Sequence, residues 1–174
     1  NGVRGVVAGG TPPGQLDTID YITIQTLGDA LDFGELFQAR RLIAATSDGN
    51  RAVFGGGYDG SSNTNTMDYI NVDHTGDATD FGEIHTARRD MCGMSDGVKG
   101  VFCGGDSGDA IQIFTIAYPS NATDYAELSQ ARGNMGAASN GDRGLIGGGD
   151  PNKTTIDYMY FSGGAAALDF GDLT

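Results

Sequence analysis

The chain has no tryptophan, two cysteines, two histidines and four prolines, and each scarcity closes off a reading. Two cysteines cannot build a disulfide framework. Four prolines beside thirty glycines argue against a proline-rich linker and for many tight turns. Basic residues are few as well: 10 Lys plus Arg stand against 23 Asp plus Glu, a formal charge of −13. Such a surface repels phosphate backbones, so no nucleic-acid partner is expected. It leaves room for weak Ca²⁺ sites, and no other cofactor is implied. No apolar run approaches the roughly 20 residues that span a bilayer, so membrane insertion is not expected. No signal peptide is visible, and the chain opens with Asn1, which suits a piece of a longer protein.

What the sequence has in abundance is self-similarity. A basic residue, a short apolar run and a glycine cluster recur four times: Arg4-Gly-Val-Val-Ala-Gly-Gly10, Arg51-Ala-Val-Phe-Gly-Gly-Gly57, Lys99-Gly-Val-Phe-Cys-Gly-Gly105 and Arg143-Gly-Leu-Ile-Gly-Gly-Gly149. A second landmark follows as Ile19-Asp20-Tyr21, Met67-Asp68-Tyr69 and Ile156-Asp157-Tyr158, with the third repeat departing at Ile113-Phe114-Thr115. Then come Asp32-Phe33-Gly34-Glu35, Asp80-Phe81-Gly82-Glu83, Asp124-Tyr125-Ala126-Glu127 and Asp169-Phe170-Gly171-Asp172. Ala39-Arg40, Ala87-Arg88 and Ala131-Arg132 close the series, ahead of small-residue runs ending in Ser-Asp-Gly or Ser-Asn-Gly. A period of about 44–48 residues identifies a repeat architecture before any other argument is needed.

Each unit reads as four short strands: residues 42–46, 52–54, 19–24 and the Asp-Phe-Gly-Glu segment, or their equivalents. Asx-Gly turns between the first two close hairpins, and β-branched and aromatic residues suit the third to a pleat. No segment sustains a helical period. The expected fold is all-β: a propeller of about four blades of four antiparallel strands, the first blade incomplete, each covering its neighbour's apolar face. The array covers residues 1–174 in units of approximately 1–37, 38–84, 85–128 and 129–174.

These residues resemble the kelch repeat family. The diglycines Gly9-Gly10, Gly56-Gly57, Gly104-Gly105 and Gly148-Gly149 match its diglycine, and Tyr21, Tyr69 and Tyr158 match its tyrosine. Phe33, Phe81, Tyr125 and Phe170 stand where kelch units usually have tryptophan. The combination of Ile-Asp-Tyr-Ile-Thr-Ile, Ala-Thr-Asp-Phe-Gly-Glu and Arg-Ala-Val-Phe-Gly-Gly-Gly is similar to kelch-like arrays in structural proteins of marine tailed bacteriophages. That resemblance implies a virion component of a tail, fibre or baseplate, acting in adhesion or assembly. Its partners would be other virion proteins or a host surface glycan or protein. Kelch propellers close with five to seven blades, so it also implies further blades or subunits. The equivalent of residues 38–47, with its inner strand, is absent from the first unit. A cellular or secreted kelch adaptor or lectin, extracellular or cytoplasmic, is the alternative. A kelch-type copper oxidase is a third reading, but its ligand set does not map onto this chain.

Residues that recur in every unit belong to the scaffold, whereas a site residue should occur once. By that test Asp20, Asp68 and Asp157, the Glu35 series and Arg40, Arg88 and Arg132 are structural, fixing turns and strand ends through hydrogen bonds and charge pairs. The diglycines recur without a following Gly-Lys-Ser/Thr, so they are not a phosphate cradle. His74 and His85 have no partners marked by spacing and read as solvated loop residues. No catalytic residue and no metal ligand is assigned. Cys92 and Cys103 flank a turn and align with small residues of the other units, which favours buried free thiols over a bridge. The loops after the diglycines, residues 11–18, 58–66, 106–110 and 150–155, vary between units and are the candidate binding surface. Within them Tyr58, Asp59 and Asn63 suit a sugar. Asp106, Asp109 and Asp150 suit weak Ca²⁺ ligation, and Asn152 and Lys153 complete the candidate contacts.

Overall fold

A computed structural model describes residues 2–11, 13–106, 108–163 and 166–174. Pro12 and Ser107, within two of the candidate loops, lie outside the described residues. Among those described, fifteen strands and no helix are formed. Sheet 1 contains β1 (Arg4–Ala8), β2 (Thr18–Thr23) and β3 (Leu31–Glu35). Sheet 2 contains β4 (Ala44–Ser47), β5 (Arg51–Gly55), β6 (Thr66–Asn71) and β7 (Thr79–Glu83). Sheet 3 contains β8 (Cys92–Ser95), β9 (Lys99–Cys103), β10 (Ala110–Thr115) and β11 (Thr123–Glu127). Sheet 4 contains β12 (Gly136–Ser139), β13 (Arg143–Gly147), β14 (Thr155–Tyr160) and β15 (Leu168–Asp172). Each is an antiparallel meander in chain order, and sheet 1 has one strand fewer than the others.

The turn chemistry explains the first hairpin of each four-stranded sheet. The Asp48 carboxylate accepts the N–H groups of Asn50 at 2.8 Å and Arg51 at 2.7 Å. Asp96 and Asn140 do the same for Val98 and Lys99 and for Asp142 and Arg143. The glycine that follows supplies a positive φ of 95°, 89° or 90°, which a β-carbon would disfavour. In every sheet the last two strands carry a register shift at the Asp-Phe-Gly-Glu segment, a bulge that bends the outer strand.

Two details differ from the sequence reading. The inner strand of sheet 2 starts at Ala44 rather than Leu42, because Leu42 has a left-handed φ of 56°. Asp90 and Asn134 share that conformation at the same point of sheets 3 and 4. In the third repeat the counterpart of Met67-Asp68-Tyr69 is Ile111-Gln112-Ile113, not Ile113-Phe114-Thr115. Ile111 pairs with Cys103 as Met67 pairs with Gly55. With both the aspartate and the tyrosine replaced, the motif has no charged or aromatic mark to hold its register in the sequence.

Three apolar cores lie between successive sheets. Ile19, Phe33 and Leu36 of sheet 1 pack on Phe54, Ile70 and Val72 of sheet 2. Val53, Met67 and Phe81 of sheet 2 meet Phe102, Phe114 and Ile116 of sheet 3. Val101, Ile111 and Leu128 of sheet 3 meet Ile146, Met159 and Phe161 of sheet 4. Each large side chain taken out of water stabilises the stack by about 1.5–3 kcal/mol. The inner strands β4, β8 and β12 lie side by side in that order, but among the described residues sheet 4 does not return to pack on sheet 1, so the array is open. Its outer faces show the consequence. Phe170 of sheet 4 is 54% exposed, whereas the equivalent Phe33 and Phe81 are each 2% exposed.

Recurring polar residues clamp the linkers that enter sheets 2 and 4 onto those sheets. Arg40 and Asp68 form a fully buried ion pair, and the N–H of Phe37 donates to the other Asp68 oxygen at 2.9 Å. Arg132 and Asp157 form the second pair at 3.0 Å; there the N–H of Ser129 donates to the same Asp157 oxygen at 3.0 Å, and the Ser129 hydroxyl to the other at 2.7 Å. The arginine carbonyls accept the N–H of the second glycine in the preceding diglycine: Gly10 on Arg40, Gly57 on Arg88, Gly105 on Arg132. The Glu35 series works differently from the charge pairs expected of it. Glu35, Glu83 and Glu127 are exposed and form no ion pair among the described residues. Their carbonyls instead accept the N–H groups of Ala78, Ala122 and Ala167 in the next sheet.

Candidate functional site

Beyond the diglycines, the chain crosses one end of the array, where the linkers also enter the inner strands. The left-handed residues Leu42, Asp90 and Asn134 are joined across sheets by backbone bonds. The N–H of Asp90 donates to the Leu42 carbonyl at 3.1 Å, and that of Asn134 to the Asp90 carbonyl at 2.9 Å. This chain of bonds fixes a rim, and an open groove lies along it. Arg89, Asp90 and Asp106 line its sheet 3 side, and Gly133, Asn134 and Asp150 its sheet 4 side, with Pro151 adjoining.

The polar groups of the groove are held in place by one another. Arg89 reaches Asp106 at 3.0 Å and Asp90 at 3.5 Å. Asp106 also accepts from the Arg89 N–H at 3.0 Å and from the Asn63 amide at 2.7 Å. The Asn134 amide donates to Asp150 at 3.0 Å. Burial pushes the Asp90 carboxyl above the usual carboxylate range, against the pull of Arg89, and Asp106 and Asp150 push it the same way. Three carboxylates face one guanidinium, so the groove disfavours anions and favours hydroxyls, amides or a cation.

The residues singled out from the sequence divide into two groups. Asp106 and Asp150 come together in this groove, and Asn63 supports it from behind. The rest are placed elsewhere or turned to local structure. The guanidinium groups of Arg41, at 5.2 Å, and Arg89, at 5.0 Å, both lie over the Tyr58 ring, and its hydroxyl donates to the Gly60 carbonyl. Asp59 caps its own turn, accepting from the N–H groups of Ser61 and Ser62 at 2.8 Å each, and these bonds lower its pKa. Asn152 occupies a turn at φ 49°, and Lys153 donates its N–H to the Gly149 carbonyl. Asp109 is half-buried beside β10 and is not part of the groove lining. Among the described residues no group of three or more His, Cys, Asp or Glu is placed to hold a metal ion.

Sequence reasoning missed Arg89, Asp90 and Asn134. The signal was present, since the residues after the recurring arginines differ in every unit: Arg41-Leu42, Arg89-Asp90, Gly133-Asn134. His74 and His85 are exposed, as expected of loop residues. Cys92 and Cys103 are register partners on β8 and β9, free and buried. Hydrogen bonding to the Cys92 thiol and burial both push the Cys103 thiol up. No helix among the described residues is long and apolar enough to cross a membrane.

No protein-family model matches the chain, and no curated protein matches it.

Proposed function

We propose that this chain is a non-catalytic recognition module: a kelch-like β-propeller array on the particle of a tailed bacteriophage, in its tail, fibre or baseplate. It binds through the rim groove, and its partner is another virion protein or a host surface glycan. The observation that carries this reading is a division of labour. Residues that clamp the sheets recur from unit to unit, whereas Arg89, Asp90, Asp106, Asn134 and Asp150 form a groove in which no two sheets contribute the same set. Fixed carboxylates and an amide aimed at solvent suit the hydroxyls of a glycan or the donors of a polar protein surface. The open apolar faces of sheets 1 and 4 suit assembly with further blades.

Mass spectrometry and cryo-EM of purified particles test the location. The expected result is density for these sheets on the tail or baseplate, and a chain found only in a soluble fraction of infected cells would overturn it. Replacing Asp106→Ala or Asn134→Ala is expected to weaken host adsorption or partner binding about tenfold, equivalent to about 1.4 kcal/mol. Unchanged binding by folded variants would remove the groove from the proposal.

A further inference from the structure

Sheet 1 is an incomplete copy of sheets 2, 3 and 4, and the missing part has a shape that those three sheets define. In them the inner edge of β5, β9 or β13 pairs with β4, β8 or β12. The corresponding edge of β1 carries no strand among the described residues. Beside it runs an open slot lined by Arg4 and Val6 on one wall and by Ala45, Thr46, Ser47 and Phe54 on the other. This is where an inner strand would lie. Gly93 of β8 sits so close to the Ala45 carbonyl of β4 that a β-carbon there would collide with it, whereas Ala45 on its own outward side is exposed.

A second, independent feature lies on the same sheet. Asp20 is the counterpart of Asp68 and Asp157, by its pairing with Val7 in the register of Phe54 with Asp68 and Ile146 with Asp157. Those two carboxylates each hold an arginine from the linker that leads into the inner strand. Asp20 forms no ion pair among the described residues. On the same face Val7 is 71% exposed and Ile22 45%, although their counterparts Phe54 and Ile70 are buried.

We propose that the β1 edge and Asp20 together form an acceptor site for one extended segment. The segment has an Ala-Arg pair followed by a strand of small and apolar residues, and it is supplied by polypeptide outside these 174 residues. The strand pairs antiparallel with Arg4–Ala8, its alternate side chains fill the slot against Ala45, Ser47 and Phe54, and its arginine binds Asp20. The molecule already holds three such inner strands and two such arginine–carboxylate pairs, which fixes the chemistry of the occupant: small residues because neighbouring inner strands touch, and arginine because Asp20 offers a carboxylate as Asp68 and Asp157 do. A second copy of the chain has no free Ala-Arg segment to give, since the strands that follow its three Ala-Arg pairs, β4, β8 and β12, are each hydrogen-bonded in their own sheets. The mode is addition of a strand to an exposed sheet edge. It is independent of the groove proposed above.

The probe is a synthetic peptide copying residues 38–47, titrated into the full chain by fluorescence anisotropy and calorimetry. Saturable one-to-one binding is expected. Asp20→Asn in the protein, or alanine at the peptide's Ala-Arg arginine, should each weaken it about tenfold without weakening it further together. A proline in the middle of the peptide's strand portion should abolish binding, because it removes a ladder N–H. Asp20 is not buried, so the Asp20→Asn protein keeps its fold and its thermal transition serves as the check. Absence of saturable binding overturns the proposal, as does equal binding by a scrambled peptide or indifference to Asp20. Sedimentation showing that the chain dimerises and excludes the peptide assigns the edge to a second copy and also overturns it.

Discussion

Sheets 2 and 4 bury a full ion pair where sheet 3, among the described residues, buries none. Arg40 with Asp68 and Arg132 with Asp157 are wholly enclosed, whereas sheet 3 has Gln112 at the carboxylate position and Arg88 is only half-buried. Gln112 retains one half of the carboxylate's role, because its side-chain carbonyl accepts the N–H of His85 at 3.1 Å, as Asp68 accepts from Phe37. It cannot balance a charge, and Arg88 has drawn back to a long 3.4 Å contact with the Gly104 carbonyl. The same place in one fold thus separates two functions of a carboxylate. Accepting a backbone N–H can be done by an amide, but holding a guanidinium out of water cannot.

The largest effect should come from breaking a complete pair. Asp157→Ala leaves Arg132 buried with its charge unopposed, and about 3–5 kcal/mol of stability should be lost. Asp68→Ala should cost a similar amount, since Arg40 has two further nitrogens without a partner among the described residues. Urea unfolding followed by circular dichroism measures both. A loss under about 1 kcal/mol would mean that Arg132 escapes to water as Arg88 does, and the contrast between the sheets would collapse. Making sheet 2 resemble sheet 3 sharpens the point. Asp68→Gln keeps the acceptor for Phe37 but not the charge, so it should be milder than Asp68→Ala by about 1 kcal/mol, the net value of one hydrogen bond.

Converting sheet 3 in the other direction should have a smaller effect. Gln112→Asp offers a carboxylate to Arg88, and the gain should be up to about 1 kcal/mol, because the arginine is partly exposed and screened. Gln112→Ala should instead lose about 1–3 kcal/mol by leaving the His85 N–H without its acceptor. The comparison fails if both changes move stability in the same direction.

How far the sequence could be read follows from the same contrast. Turns, strands and sheet order were legible because each is dictated locally: an Asx-Gly turn, an apolar run, a diglycine. Repetition then marked Arg40, Asp68, Arg132 and Asp157 as scaffold. It could not show that the partners were each other, since they are 28 and 25 residues apart and meet only when the linker folds over its sheet. The register of the third repeat was hidden for a related reason. Asp68 and Tyr69 read as one motif, and both positions change together, at Gln112 and Ile113. The site was less legible still. Tyr58 looked free to stack on a ligand, but Arg41 of its own unit and Arg89 of the next linker both lie over its ring, and the Arg89 contact is made only by the packing of sheet on sheet.

Lys99 and Ile113 give the smallest and most specific test. In sheets 1, 2 and 4 the basic residue that opens the strand after the inner-strand position lies over the tyrosine of the next strand: Arg4 on Tyr21 at 4.5 Å, Arg51 on Tyr69 at 4.2 Å, Arg143 on Tyr158 at 4.6 Å. In sheet 3 both members differ together. Ile113 offers Lys99 no aromatic ring to cover, and the Lys99 ammonium donates to the Phe161 carbonyl of sheet 4 at 2.6 Å. Arg51 makes the equivalent bond, to the carbonyls of Ile116 and Ala117. The inter-sheet bond is therefore the retained function, and the ring contact an addition that a planar guanidinium allows. A double-mutant cycle of Lys99→Arg and Ile113→Tyr should show a coupling of about 0.5–1 kcal/mol, while Lys99→Arg alone should be nearly neutral. A coupling of zero would mean that the arginine–tyrosine pairs of the other sheets are held by their separate contacts and not by each other.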